Sequence, residues 1–160
     1  MQASEVSAHY ILSEDGTQVT NMVHPANKAW HACNVNSFSE GIEAAGYAAK
    51  GLYAAEWETL AAITAYRLRI NNIPCQRATA ANNWTGYCEH WQLGQMGGGH
   101  HDITDPVKGI TQRTAFDALV AKFFLFELPS SWGADRTVVV PVPTPTPGWV
   151  SPHPGARHGF

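Results

Sequence analysis

The sequence predicts an α/β or α+β domain whose strands and helices lack the regular alternation of a doubly wound sheet. Three observations carry this. Residues 6–23 hold two apolar runs around a turn, residues 54–70 repeat apolar side chains at helical spacing, and a second helical pattern begins near Thr114. The run 6–12 is strand-like, Glu14-Asp15-Gly16 is a turn signal, and 17–23 returns as a second strand, which together make a hairpin. Residues 39–45 predict a third, buried strand around Ile42. In 54–70, Trp57, Leu60, Ala61, Thr64 and Leu68 share a helical face, in a stretch rich in good helix formers, and Asn71-Asn72 with Pro74 stop it. A Gly-rich loop over 94–99 precedes a histidine-aspartate cluster. In the last helix Phe116, Leu119, Val120 and Phe123 form the apolar face, and Thr114 with Asp117 fits a capping box with Asp in place of Glu. No internal repeat is present.

Composition narrows the function. The chain has 160 residues, 10 Lys+Arg against 13 Asp+Glu, and is 44% hydrophobic but only 14% charged. A net charge of -3 removes the electrostatic warrant for binding nucleic acid or an anionic membrane. The apolar content argues against disorder for the bulk of the chain. No stretch approaches the ~20 apolar residues of a membrane span, and residues 1–5 show neither the basic nor the apolar region of a signal peptide. Cys33, Cys75 and Cys88 form no disulfide framework; a Cys75–Cys88 bridge and buried free thiols both fit. Seven of the ten prolines fall in 129–160, dividing the chain into a domain over 1–128 and a proline-rich linker or tail over 129–160. A linker leading to so short an end implies a further module beyond it. Eight histidines are the oddity, because imidazole is the commonest metal ligand and a ready acid or base.

Four positions could carry chemistry. His90, followed after Gly97-Gly98-Gly99 by His100, His101 and Asp102, has a spacing at which a histidine and a carboxylate can converge on one zinc ion. The alternative is a pair of solvated histidines in a flexible loop. Glu43 lies among small and apolar neighbours; desolvation there would raise its pKa and suit a general base, whereas an outward-facing strand position would leave it inert. His31, beside Trp30, either lines a sugar- or peptide-binding cleft or packs structurally.

The order of these segments is informative. Val6-Ser7-Ala8-His9-Tyr10-Ile11-Leu12, Asp15-Gly16, Val23, Ala29-Trp30-His31-Ala32 and Gly41-Ile42-Glu43 resemble the zinc-dependent N-acetylmuramoyl-L-alanine amidases of type 2, which share a fold with the peptidoglycan recognition proteins. The later segments agree: Asn71-Asn72-Ile73-Pro74, Gly86 ahead of His90, and His100-His101-Asp102. The Gly-rich last loop looks most like endolysins of phages that infect actinobacteria. The resemblance spans about 4–126. It implies a mixed central β-sheet flanked by α-helices, and a peptidoglycan substrate cut at the amide between the lactyl group of N-acetylmuramic acid and L-alanine. By position it implies zinc held by His90 and Asp102, Glu43 as general base, and His100 at the basic position that stabilises the oxyanion, a charge that a histidine loses above neutral pH. Activity is then expected to fall between about pH 6 and 8.

Two departures from the family pattern stand out. The strand and helix that precede the Ser-x-His-Tyr segment, with the first zinc histidine, have no counterpart here, so the domain reads as N-terminally truncated; His9, expected to face away, and His24 are poor substitutes. After Asp102 the usual Pro-Gly is replaced by Ile103-Thr104, and Asp105 competes with Asp102 as the ligand. The expectation is a monomeric peptidoglycan amidase of a phage lysis protein, held in the host cytoplasm until lysis and then acting at the cell wall. The alternatives are an inactive peptidoglycan-binding module or a remnant.

Overall fold

A computed structural model describes residues 6–46, 51–100 and 113–126, together with the backbone of 137–139. The hairpin forms as the alternation dictates. β1 (Tyr10–Leu12) pairs antiparallel with β2 (Gln18–Asn21), with Leu12 opposite Val19 and Tyr10 opposite Asn21. The turn is fixed by Asp15, whose carboxylate accepts from the Ser13 hydroxyl at 2.6 Å, the Thr17 hydroxyl at 2.7 Å and the Thr17 amide at 3.0 Å. Those donors hold its pKa down to about 2.

β3 (Ile42–Ala44) lies parallel to β1 on its other side, with Glu43 opposite Ile11. The expected third strand is therefore present, although it is only half-buried at Ile42 and Ala44 and exposed at Glu43. The last strand, β4 (Thr137–Val139), pairs antiparallel with β2 and completes the order β3-β1-β2-β4. It lies within the stretch read from composition as tail, where its run of β-branched residues was outweighed by the prolines that follow. One parallel and two antiparallel pairings make the sheet mixed, as expected.

Helix α1 (Ala54–Ile70) has the predicted bounds. Its N-terminus is closed by Glu56, whose side chain accepts from the Tyr53 amide at 2.8 Å. Two faces of α1 are apolar. Ala62 and Ile63 meet Tyr10, Leu12 and Val19 of the sheet, while Trp57, Ala61, Ala65 and Leu68 meet Phe116, Leu119 and Val120 of helix α2 (Arg113–Leu125). α1 is thus a middle layer between sheet and α2. The single apolar face read from periodicity is only part of what it buries.

Two local expectations are corrected. Thr114 and Asp117 do not form a capping box: both lie inside α2, and the Asp117 carboxylate accepts from Arg77 Nε at 2.7 Å and the Tyr87 hydroxyl at 2.8 Å. The Gly-rich loop is also shorter than expected, because residues His90–Gly97 wind into 3-10 turns that break only at Gly94 and end at Gly98 with φ of 87°. No disulfide joins Cys75 to Cys88. No helix among the described residues is long and apolar enough to cross a membrane.

Candidate active site

A cleft of about 1020 Å³ opens beside β3, lined among others by His31, Phe38, Glu43, Trp84 and His90. Three of the side chains singled out from sequence thus face one space.

His31 is set by the loop between β2 and β3. The loop is pinned to the chain ahead of β1 by two hydrogen bonds, Ser7 amide to Trp30 carbonyl and Trp30 amide to Ser7 Oγ, both 3.0 Å. Buried Asn36 then gathers the amides of His31 and Ala32 on its side-chain oxygen, at 3.0 and 2.6 Å. The His31 ring lies against Gly41, where any Cβ would stand 2.5 Å from its Cγ, so only glycine fits. Its Nε2 faces the Ser39 carbonyl at 3.4 Å. Burial pushes its pKa down, and the neighbouring His9 and His90 add to this, so the ring is held neutral at physiological pH.

His9, expected to face away from the metal and to pack structurally, is 1% exposed and meets His31 edge to face, with ring centroids 5.5 Å apart. Its Nδ1 accepts from the Gly41 amide and its Nε2 donates to the Asn27 carbonyl, each at 3.0 Å. Both nitrogens are spent on backbone, so His9 is a structural support beneath His31. His24 takes the Ala26 amide on its Nδ1 at 3.2 Å, holding its own turn.

Glu43 lies on the sheet face opposite the one that buries Tyr10 and Leu12 against α1. It is exposed at the cleft, which is the outward-facing of the two readings left open by its sequence. Strand alternation placed it; the neighbours in sequence were on the other face.

His90 opens the 3-10 segment. Its Nε2 donates to the Gly97 carbonyl at 2.7 Å, and His100 stacks on its ring with centroids 4.6 Å apart and planes 20° apart. Behind it stands a charged cluster that the sequence reading missed. Arg77 pairs with Glu89 and Asp117 and donates to Gln92 at 3.2 Å, its guanidinium lying 4.8 Å from the Tyr87 ring centroid. Gln92 in turn accepts from the Glu89 amide at 3.0 Å, which fixes the start of the turn bearing His90. The contributing residues are scattered along the chain, so no local pattern announced them. The 3-10 turn Cys33–Val35 also packs against His90–Gly97, joining the His31 loop to the His90 segment.

His90 suits a metal in one respect. A ring nitrogen that donates to a backbone carbonyl fixes the tautomer and leaves the other nitrogen's lone pair free, the usual outer-shell arrangement of a ligand histidine. Among the described residues, no three or more His, Cys, Asp or Glu side chains group so as to hold a metal ion. Asp102, Asp105 and His101 lie outside the described residues.

Comparison with known proteins is consistent with this geometry. Residues 1–112 match the Amidase_2 family, described as N-acetylmuramoyl-L-alanine amidase. The N-acetylmuramoyl-L-alanine amidase A of Achromobacter lyticus is 36% identical over 86 residues, covering 52% of this chain and 46% of that protein. The chain thus spans about half the length of the curated relative it matches. No solved structure matches it. With the family matched across β1, β2, β3, α1 and the His90 segment, the chain belongs to the type 2 N-acetylmuramoyl-L-alanine amidases.

Proposed function

We propose that this chain hydrolyses the amide joining N-acetylmuramic acid to the L-alanine of the peptidoglycan stem. The observation that carries the reading is the convergence of Glu43, His31 and His90, from three separate segments, on one cleft in a chain of this family. His90 and Asp102 would hold a zinc ion, which when bound polarises the scissile carbonyl and acidifies the attacking water. Glu43, exposed at the cleft, is free to take the water's proton on its carboxylate and return it to the departing amine. His31, held neutral, lines the substrate path without adding a charge. His100, stacked on His90, would donate a hydrogen bond to the oxyanion.

The test uses purified sacculi and reads new N-terminal alanine on released peptides. The full chain should release it, and Glu43→Gln should lower the rate about 10²–10⁴-fold while leaving thermal stability unchanged. Binding to sacculi with no peptide release would assign the chain instead as a peptidoglycan-binding module. We also propose the biological setting, a phage lysis protein held in the host cytoplasm; it is supported by the likeness of the loop over 94–99 to phage endolysins. Expression in a bacterial host should then lyse cells only after the membrane is permeabilised. Lysis without permeabilisation would remove that setting.

A further inference from the structure

The cleft carries an aromatic side chain that none of the chemistry above uses. Trp84 lines it, half-buried, on a backbone with φ of 55°, and the preceding Asn83 also has φ of 54°. Two consecutive side-chain-bearing residues in the left-handed region are uncommon, and for a residue as bulky as tryptophan that conformation is disfavoured. Such geometry persists only where the surroundings over-determine it.

Here the surroundings do so. Asn82 accepts the Thr79 amide on its side-chain oxygen at 2.8 Å and donates to the Arg77 carbonyl at 2.7 Å. The Trp84 amide returns to the Thr79 carbonyl at 2.8 Å, and the Thr85 amide to the Asn82 carbonyl at 3.2 Å. Residues 79–85 are therefore a closed, hydrogen-bonded loop that presents one indole to the cleft. Glycine at position 84 would satisfy the same backbone without strain, so folding alone does not explain the tryptophan.

The charges around the cleft say what the indole meets. Among the described residues its lining holds three cations, and each has a partner. Arg67 is gripped by Glu40 at 2.6 and 2.7 Å, Arg77 by Glu89 and Asp117, and Lys28 lies 3.9 Å over the Trp30 ring. Beyond the carboxylates that hold these cations, and Glu43 exposed at the cleft, the polar lining consists of amide, hydroxyl and imidazole groups, including Asn36, Ser37, Ser39 and Thr85. That chemistry suits an uncharged ligand with one apolar face and a rim of hydroxyl and amide groups. A pyranose ring is such a ligand.

We propose that Trp84 is a stacking platform for an N-acetylated sugar ring of the glycan strand, held strained by its loop for that purpose. The proposal rests on peptidoglycan being the ligand, and its test does not require hydrolysis. The probe is the tetramer of N-acetylglucosamine, titrated calorimetrically against the full chain, Trp84→Gly and Trp84→Phe. The wild type should bind, the Gly variant about tenfold more weakly, and the Phe variant within about threefold of wild type. The Gly variant should also melt no more than about 5 °C below the wild type, because relief of strain offsets the lost contacts. No binding of the tetramer by the wild type, equal binding by Trp84→Gly, or a larger drop in Tm would overturn the proposal; the last would make Trp84 a packing residue. Peptide release from sacculi, measured in parallel, separates the two ideas. Release without tetramer binding removes the platform alone. Tetramer binding that depends on Trp84 without release leaves the platform standing and removes hydrolysis.

Discussion

The hairpin, β3 and α1 are held together by apolar contact, whereas the segment from Cys75 to His100 is held by charge, backbone hydrogen bonds and unusual backbone angles. In the first region Tyr10, Leu12 and Val19 close on Ala62 and Ile63, and Trp57 on Phe116, in the manner of any small core. In the second, a single parallel bridge at Arg77 and Tyr87 is the one extended pairing among the described residues. Around it Arg77, Glu89, Asp117 and Gln92 bind one another, and Asn83, Trp84, Gly86, Gly94 and Gly98 all have positive φ. The first region makes a stable floor. The second aims His90 and Trp84 into the cleft. A buried ionic cluster adds little net stability but defines geometry sharply, since its partners have few alternative arrangements.

The comparison breaks most sharply at Trp57. It is 2% exposed and packs on Phe116 with ring centroids 5.5 Å apart. Trp57→Ala should cost about 3–5 kcal/mol, read by urea denaturation, and should loosen both regions together. If only one region's amides lost exchange protection, α1 would not be the shared layer described here.

Arg77→Met should come next, at about 2–4 kcal/mol, because it leaves the largely buried Glu89 carboxylate with only the more distant Arg113, 4.0 Å away. Its effect should be concentrated in residues 76–98 when hydrogen exchange is followed. Adding Glu89→Gln should restore part of the loss. A double variant as unstable as the sum of the singles would mean that the pair does not interact as drawn.

Glu56 sharpens the comparison from the other side, as a carboxylate placed in the apolar region. It is 1% exposed, and burial pushes its pKa up to about 8. The folded state therefore holds a proton that the unfolded chain releases near the ordinary carboxylate value. Its contribution is fully present below about pH 4.5 and is lost as pH rises through about 8. Glu56→Gln keeps the oxygen that accepts from Tyr53 and should flatten that decline, raising Tm at pH 8 by about 5 °C relative to wild type. Identical slopes of Tm against pH in the two proteins would remove the effect.

The smallest expected change is at the hairpin turn. With its pKa held down to about 2, Asp15 contributes stability above the ordinary carboxylate value and loses it as pH falls through 2. Asp15→Asn should lower Tm by about 1–2 °C at pH 7 and by much less at pH 2. A difference undiminished at pH 2 would assign the effect to turn geometry, not to the charge.

Legibility divided along the same line. The hairpin, β3 and the bounds of α1 followed from alternation and periodicity because each carries its pattern within its own segment. The order of loose motifs was enough to indicate the family, and it drew attention to Glu43, His31 and His90, which share the cleft. The Arg77 cluster was illegible, since its members come from the 76–78 stretch, the 87–92 stretch and α2 and have no common period. Asp117 was misread for that reason: its spacing from Thr114 fitted a cap, but Arg77 and Tyr87 offered its carboxylate better partners. Trp84 gave no signal, because a left-handed tryptophan is set by the loop that closes around it.

By itself the sequence determined the hairpin, the length of α1, the near-neutral charge and the ordered motifs of the family. These depend on local pattern and composition, which do not change on folding. Tertiary structure alone decided that His9 supports His31, that Glu43 is exposed instead of desolvated, and that α1 is apolar on two sides. It also decided that residues 137–139 return to the sheet as β4. Each is a question of which distant segment fills the adjoining space, and packing settles it only when the whole domain closes.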